Sequence, residues 1–90
     1  MIKIELQYMQ TLESALSDSI EYAMCFDGTS GYGLMGDDKL FKTEIEAMDY
    51  ALKNDEDFKR VKDLNMLDKV VPVYDDDEFL YYISEQEAIK

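Results

Sequence analysis

The spacing of apolar residues changes several times along this chain, and this change limits the fold more than any other feature. Apolar and polar residues alternate at positions 2–8, and large apolar residues alternate with mostly small ones at 20–26. At about 11–18 and from residue 43, apolar residues instead recur every three or four positions. A period of two is typical of β-strands with one buried face, and a period of 3.6 is typical of amphipathic helices. We therefore expect an α+β fold.

The clearest local signal is a helix start at Thr43. Residues 43–46 are Thr-Glu-Ile-Glu, a capping box in which Thr accepts a hydrogen bond from the third backbone amide and Glu reaches back. The predicted helix continues to about residue 53 and ends at Asn54, a residue that tolerates a left-handed helix end. Its apolar face is predicted to contain Ile45, Met48, Ala51 and Leu52, with Ala47 beside them.

Two further helices are predicted from shorter patterns. One covers about 11–18, with Thr11 as its N-cap. The other covers about 56–65, with Asp55 as its cap and with Phe58 and Val61 facing inward.

The remaining regular segments are predicted to be strands. Pro72 has no amide hydrogen to donate, so its strand is expected to lie at a sheet edge or to carry a bulge. The predicted order is β-α-β-β-α-α-β-β in one domain of residues 1–90, with helices packed on a mostly antiparallel sheet. The strands are a half-buried one at 2–8, a well-buried one at 20–26, its return at 32–35, and a final hairpin formed by 69–74 and 79–84.

Three glycines, Gly31, Gly33 and Gly36, match the G-x-G-x-x-G spacing of dinucleotide-binding loops. Such a loop works only where it follows a strand and opens a helix, so that pyrophosphate lies at the helix N-terminus. Here two aspartates follow the last glycine, and the next helix has its own start at Thr43. These glycines therefore indicate turns and bulges, and no nucleotide cofactor is expected.

The side chains needed for common catalytic and metal sites are scarce. The chain has no His and one Cys, which excludes Ser-His and Cys-His pairs, an internal disulfide and the usual zinc ligand sets. The twelve residues Asp27–Asp38 have the length of an EF-hand loop, but they place Tyr32 where that loop requires Gly. We therefore expect no enzymatic activity, cofactor or metal ion. The sequence also contains no signal-peptide pattern and no apolar run of about 20 residues, so a soluble cytoplasmic protein is expected.

The charge is strongly negative throughout, with 21 acidic and 9 basic residues and a net charge of −12. Residues 1–45 carry eight acidic and three basic residues, and residues 46–90 carry thirteen and six. Such a field repels nucleic acids and anionic membranes and attracts basic protein surfaces. We therefore expect a basic protein partner, with no direct binding to DNA, RNA or membrane.

Several acidic residues are close enough in sequence to form rows. Carboxylates two residues apart on a strand are separated by about 6.6–6.8 Å, close to two axial steps of about 3.4 Å between phosphates of one nucleic-acid strand. Exposed tyrosines beside them would supply aromatic anchors for a protein contact. The candidate partner-binding residues are Asp37, Asp38, Asp55, Glu56, Asp57, Asp75, Asp76, Asp77 and Glu78, with Tyr32, Tyr81 and Tyr82.

In size, acidity and lack of a catalytic set, the chain resembles the small inhibitors that phages and mobile elements direct against host defence, including anti-CRISPR proteins and anti-restriction DNA mimics. The resemblance implies an inhibitor that binds the basic nucleic-acid site of a Cas or restriction nuclease in the host cytoplasm, by mimicry or by steric block. Two alternatives remain open on the residues: an immunity protein or antitoxin that neutralises a basic toxin, and a regulatory interaction module without mimicry. Charge runs are also typical of an ordinary solvated surface.

Overall fold

The computed structural model describes residues 1–90 and combines three short helices with six strands. The predicted α+β class and antiparallel pairing are confirmed, and the element order roughly follows the predicted one. Two single-turn 3-10 helices, Leu6–Tyr8 and Glu56–Phe58, complete the regular structure. In chain order the main elements are β1 (Ile2–Ile4), β2 (Gln10–Thr11), α1 (Leu12–Asp18), β3 (Ile20–Met24), β4 (Ser30–Leu34), α2 (Glu44–Asn54), β5 (Lys69–Asp75), β6 (Glu78–Ser84) and α3 (Glu85–Ala88).

The strands are divided between two antiparallel sheets. In the larger sheet, β5 is central: it pairs with β6 along one side and with β1 and β2, one after the other, along the opposite side. Strands β3 and β4 form a separate two-stranded hairpin. This hairpin packs against the two longer helices through its first residues and β4, so its tip is left at the periphery.

Pro72 explains where β1 stops. Its carbonyl accepts a hydrogen bond from the Glu5 amide at 3.1 Å, but it has no amide hydrogen to return to the Glu5 carbonyl. That carbonyl instead accepts from the Tyr8 amide at 3.1 Å and begins the first 3-10 turn. The predicted strand at 2–8 is therefore wrong beyond Ile4. Pro72 lies in a central strand, and the predicted irregularity is present as a register shift between Val73 and Tyr74.

The two predicted helices with threonine caps are confirmed. The hydroxyls of Thr11 and Thr43 each accept a hydrogen bond from the amide three residues on, at 3.1 and 3.2 Å. The predicted left-handed end of α2 is wrong, because the Asn54 side chain donates to the Tyr50 carbonyl at 3.1 Å and the following residue is extended. Ile45 was expected to face inward but is 74% exposed. It lies in the first turn of α2, before the first buried residue of that helix.

The predicted α-helix over 56–65 is wrong. This segment is a chain of tight turns in which the amides of Phe58, Val61 and Leu64 each donate to the carbonyl three residues earlier, at 3.1–3.3 Å. Its apolar residues are spaced by three, which matches the 3-10 period and places them on one face. Phe58 and Val61 are buried there, 0% and 1% exposed.

The main core lies where α1, α2, the 58–61 turns and one face of β5 meet. A smaller cluster of Val71, Val73 and Ile83 occupies the opposite face of the larger sheet. No charged or polar side chain is buried, so every carboxylate lies at the surface. The longest helix has eleven residues, and none combines the length and apolar character needed to cross a membrane. The main cluster consists of Leu12, Ala15, Leu16, Leu34, Met48, Ala51, Phe58, Val61 and Val70.

Candidate functional site

Most of the carboxylates have no cationic partner within the protein. Five of the 21 take part in ion pairs within 4.0 Å, which leaves sixteen without one. All five pairs join exposed groups, a class that contributes little to stability. The negative field is therefore largely uncompensated within the molecule. The paired carboxylates are those of Asp49, Glu56, Asp75, Asp76 and Glu87.

The predicted group Asp75–Glu78 forms the exposed tip of the β5–β6 hairpin. The ammonium group of Met1 lies 2.9 Å from Asp75 and 3.1 Å from Asp76, so two of these four carboxylates share a positive charge. The hydrogen bonds that it donates to these carboxylates raise the pKa of that ammonium group above its usual value. Asp76 has a positive φ of 55°, a conformation that aspartate tolerates in tight turns. Asp77 and Glu78 are thus the two residues of this group without an internal cation.

The predicted pair Asp37–Asp38 lies in the turn after β4. The Asp37 amide donates to the Leu34 carbonyl at 3.1 Å, and Gly36 takes the required positive φ of 83°. The Asp37 carboxylate accepts from the Lys39 amide at 2.9 Å, which orders the turn. Both aspartates are exposed and neither takes part in an ion pair.

The third predicted group, Asp55–Asp57, starts the second 3-10 turn. The Asp55 carboxylate accepts from the Asp57 amide at 2.8 Å and so caps the turn. Burial, followed by the charges of the two preceding carboxylates, raises the pKa of Asp57 above its usual value. Glu56 is paired with Lys59 at 3.5 Å. This group lies beside β6, because the Phe58 ring stacks on Tyr82 with 5.0 Å between ring centroids.

These three acidic groups lie in three different turns. Asp37 and Asp38 follow β4, Asp55–Asp57 follow α2, and Asp75–Glu78 join β5 to β6. No single strand or helix therefore arranges all of them in one row. The arrangement offers separate points of contact for a cationic surface.

The three predicted tyrosines are half-buried, and two of them have clear internal partners. The Arg60 guanidinium lies 4.4 Å from the centre of the Tyr81 ring, a cation–π contact. Tyr82 stacks on the core residue Phe58, and burial raises the pKa of its hydroxyl. Tyr32 contacts the more exposed Tyr22 edge to face, with ring centroids 5.3 Å apart.

An exposed apolar surface was missed by the sequence-based predictions. The segment 20–26 was expected to be well buried, but Tyr22 is 68%, Met24 72% and Phe26 108% exposed. We call these three side chains the hairpin patch. The small residues of the hairpin mark its packed side, and this is the signal that identifies the opposite face as the open one. Ala23 lies opposite Gly31 in the hairpin. The backbone of residues 39–41 packs closely against this side.

The glycines of the G-x-G-x-x-G motif are explained by this close packing. A side chain at Gly31 would meet the Phe41 carbonyl, and one at Gly33 would lie 2.7 Å from the Lys39 carbonyl oxygen. Gly36 occupies the turn described above. The next helix begins only at Glu44, so the glycines do not lead into a helix N-terminus. The motif therefore has a packing role in this fold.

No three carboxylate or thiol side chains come together in an arrangement that could hold a metal ion. The largest surface depression, about 410 Å³, is an open groove between α1 and α2. Its lining is mainly hydroxyl and carboxylate groups, unlike the mostly apolar lining of typical small-molecule sites. Comparison of the chain with protein-family models, with curated proteins and with solved structures gave no match.

Proposed function

We propose that this protein is a non-enzymatic inhibitor that binds the basic nucleic-acid-binding surface of another protein, such as a host-defence nuclease of the Cas or restriction type. The observation that carries the proposal is the surface charge: sixteen carboxylates are accessible and have no internal cation. A cationic cleft would supply the missing partners, and the long-range attraction would accelerate association at low salt.

Steric block fits the geometry better than extended mimicry of a nucleic acid. The acidic groups occupy three separate turns, so no single strand or helix arranges them in one continuous row. A body with principal extents of 46 × 27 × 19 Å is large enough to fill a nucleic-acid cleft while touching its basic walls at several points.

The test compares two triple variants with the same change in charge. The site variant D57N/D77N/E78Q removes unpaired carboxylates beside β6 and at the β5–β6 tip. The control variant E13Q/E46Q/D63N removes exposed, unpaired carboxylates from other surfaces. The partner recovered from host lysate on the immobilised chain is purified, and its association kinetics are measured with each variant over a range of salt.

We expect the site variant to associate about 10-fold or more slowly at low salt, the control to change much less, and DNA or RNA to compete for the same surface. Equal effects of the two variants, or no competition by nucleic acid, would refute this proposal. Recovery of a toxin would favour the antitoxin alternative, and a salt-insensitive neutral partner would favour a regulatory module.

A further inference from the structure

The apolar face of the β3–β4 hairpin extends beyond the core that it helps to form. Its inner end, the pair Ile20 and Leu34, packs with the main core. The same face continues outward through Tyr22 and Met24, which are mostly exposed. Monomeric proteins seldom expose a contiguous apolar surface without using it for contact.

The tip of this hairpin holds the Phe26 backbone in a defined turn. Phe26 and Asp27 occupy the centre of a tight turn closed by the Gly28 amide, which donates to the Cys25 carbonyl at 3.0 Å. Gly28 has the positive φ of 88° that such a turn requires, and the Asp27 carboxylate accepts from the Thr29 amide at 3.0 Å. An ordered turn loses little backbone entropy on binding.

The area of the patch fits an anchor for a partner and is too small for a stable dimer of this chain. At 68%, 72% and 108% exposure, Tyr22, Met24 and Phe26 together offer about 500 Å², taking about 200 Å² for each side chain. A typical specific complex buries about 800 Å² on each partner, whereas permanent homodimers bury considerably more. The patch therefore supplies a centre for an interface and requires a surrounding rim.

Anionic groups flank Phe26 at the tip of the patch. Phe26, Asp27 and Asp38 line one shallow depression, and the Cys25 thiol, 3.3 Å from the Asp38 carbonyl, ties the two turns together. Neither aspartate has an ion-pair partner. The nearby Lys39 ammonium is directed elsewhere, 4.8 Å from the centre of the Tyr50 ring. Two copies meeting here would place like charges together, so the rim favours a cationic partner.

We propose that the hairpin patch is the docking surface for a basic protein, with Phe26 inserted into an apolar pocket and Asp27 and Asp38 paired with arginine or lysine around that pocket. This inference rests on the proposed function in taking a cationic partner. It adds the side chain that anchors the complex and the chemistry of the pocket that receives it. Aromatic residues at the centre of an interface typically carry much of the binding energy, and the charged rim excludes water around them.

The test uses the whole chain with the photo-reactive residue p-benzoylphenylalanine in place of Phe26. Ile45, which is 74% exposed on α2, is the matched control position. Both proteins are irradiated in the cells in which the protein acts, and the cross-linked product is identified and purified. The affinity of the partner protein identified in this way is then measured for the wild-type chain, Phe26→Ala, Ile45→Ala and the double variant D27N/D38N, at low and high salt.

We expect a basic protein to be cross-linked from position 26 and not from position 45. Phe26→Ala should weaken its binding by about 30-fold or more, Ile45→Ala by less than about twofold, and D27N/D38N should reduce the salt dependence. A cross-link to a second copy of this chain, an absent or position-independent cross-link, or an unchanged affinity of Phe26→Ala would overturn the inference. If Phe26→Ala binds normally while D57N/D77N/E78Q does not, this inference fails and the proposed function stands. If D57N/D77N/E78Q binds with normal affinity while Phe26→Ala loses affinity, the proposed function is refuted instead.

Discussion

Replacing Gly33 with alanine tests the close approach of residues 39–41 to β4. The new Cβ would lie 2.7 Å from the Lys39 carbonyl oxygen and 2.9 Å from the Leu40 Cδ2 atom. Contacts below 3.0 Å essentially do not occur, so the Lys39 carbonyl must move. It is restrained by the adjacent bridge, in which the amides of Tyr32 and Phe41 donate to each other's carbonyls at 2.9 and 2.8 Å.

The expected cost follows from two opposing effects. Overpacking at a restrained site costs about 1–3 kcal/mol. The lower entropy of the unfolded alanine chain returns about 0.4–1 kcal/mol. The midpoints of these ranges give a net loss of about 1.3 kcal/mol, which corresponds to a fall in Tm of about 5–10 °C for a chain of this size.

Urea unfolding followed by circular dichroism measures this loss, with Ser30→Ala as the control because Ser30 is exposed on the same strand. We expect the midpoint to fall for Gly33→Ala and to change little for the control. A Gly33→Ala protein as stable as the wild type would refute the packing explanation for this glycine and reopen a ligand-binding role for the motif.

Three other perturbations probe charge and capping. Asp57→Asn should raise stability at pH 7 and have no such effect at pH 3: a raised folded pKa means that the ionised form opposes folding once the pH exceeds the unfolded value, as urea titrations at both pH values would reveal. The ammonium group of Met1 has a raised folded pKa from its hydrogen bonds to Asp75 and Asp76, so its contribution is complete below about pH 8 and is lost as the pH rises through the folded value. N-terminal acetylation should remove that part of the pH dependence, and an unchanged profile would contradict it. Thr43→Ala removes the cap of α2 and should cost about 0.5–2 kcal/mol in thermal unfolding, whereas Thr43→Ser should retain most of the stability.

The helix starts were predictable because a cap is a local device. Thr11 and Thr43 each bond to an amide three residues away, so the sequence contains both partners. The segment 56–65 was predicted incorrectly because residues 58, 61 and 64 satisfy helical and 3-10 spacings almost equally well. The hydrogen bonds from each of these amides to the third preceding carbonyl separate the two possibilities.

The orientation of the β3–β4 hairpin was not predictable from alternation alone. Alternation identifies two faces, but which one is covered depends on residues distant in the chain. Here the covered face is the one with Ala23 and Gly31, because the backbone near Phe41 approaches it closely. The small residues indicated which face of the hairpin is covered, whereas their large neighbours suggested the opposite orientation.

The exposure of the acidic residues followed from their chemistry, but their grouping did not. Carboxylates remain at the surface because burying a charge without a partner is costly. Whether Asp38 lies beside Phe26 or beside Asp57 depends on how the turns are arranged in space. In the structure the Cys25 thiol contacts the Asp38 carbonyl and Asp38 lies beside Phe26, and no spacing in the sequence indicates this.

The negative charge and the exposed hairpin patch have a physical connection. An exposed phenylalanine favours self-association, but a net charge of −12 makes each copy repel the others. The same charge attracts a basic surface from beyond contact distance, where the apolar patch exerts no force. Under the proposed function, charge brings the correct partner to the surface and keeps like copies apart, and Phe26 then slows dissociation once water has been excluded. Under that proposal the two features would act at different stages of one binding event: the carboxylates would affect mainly the association rate, and the hairpin patch would affect mainly the dissociation rate.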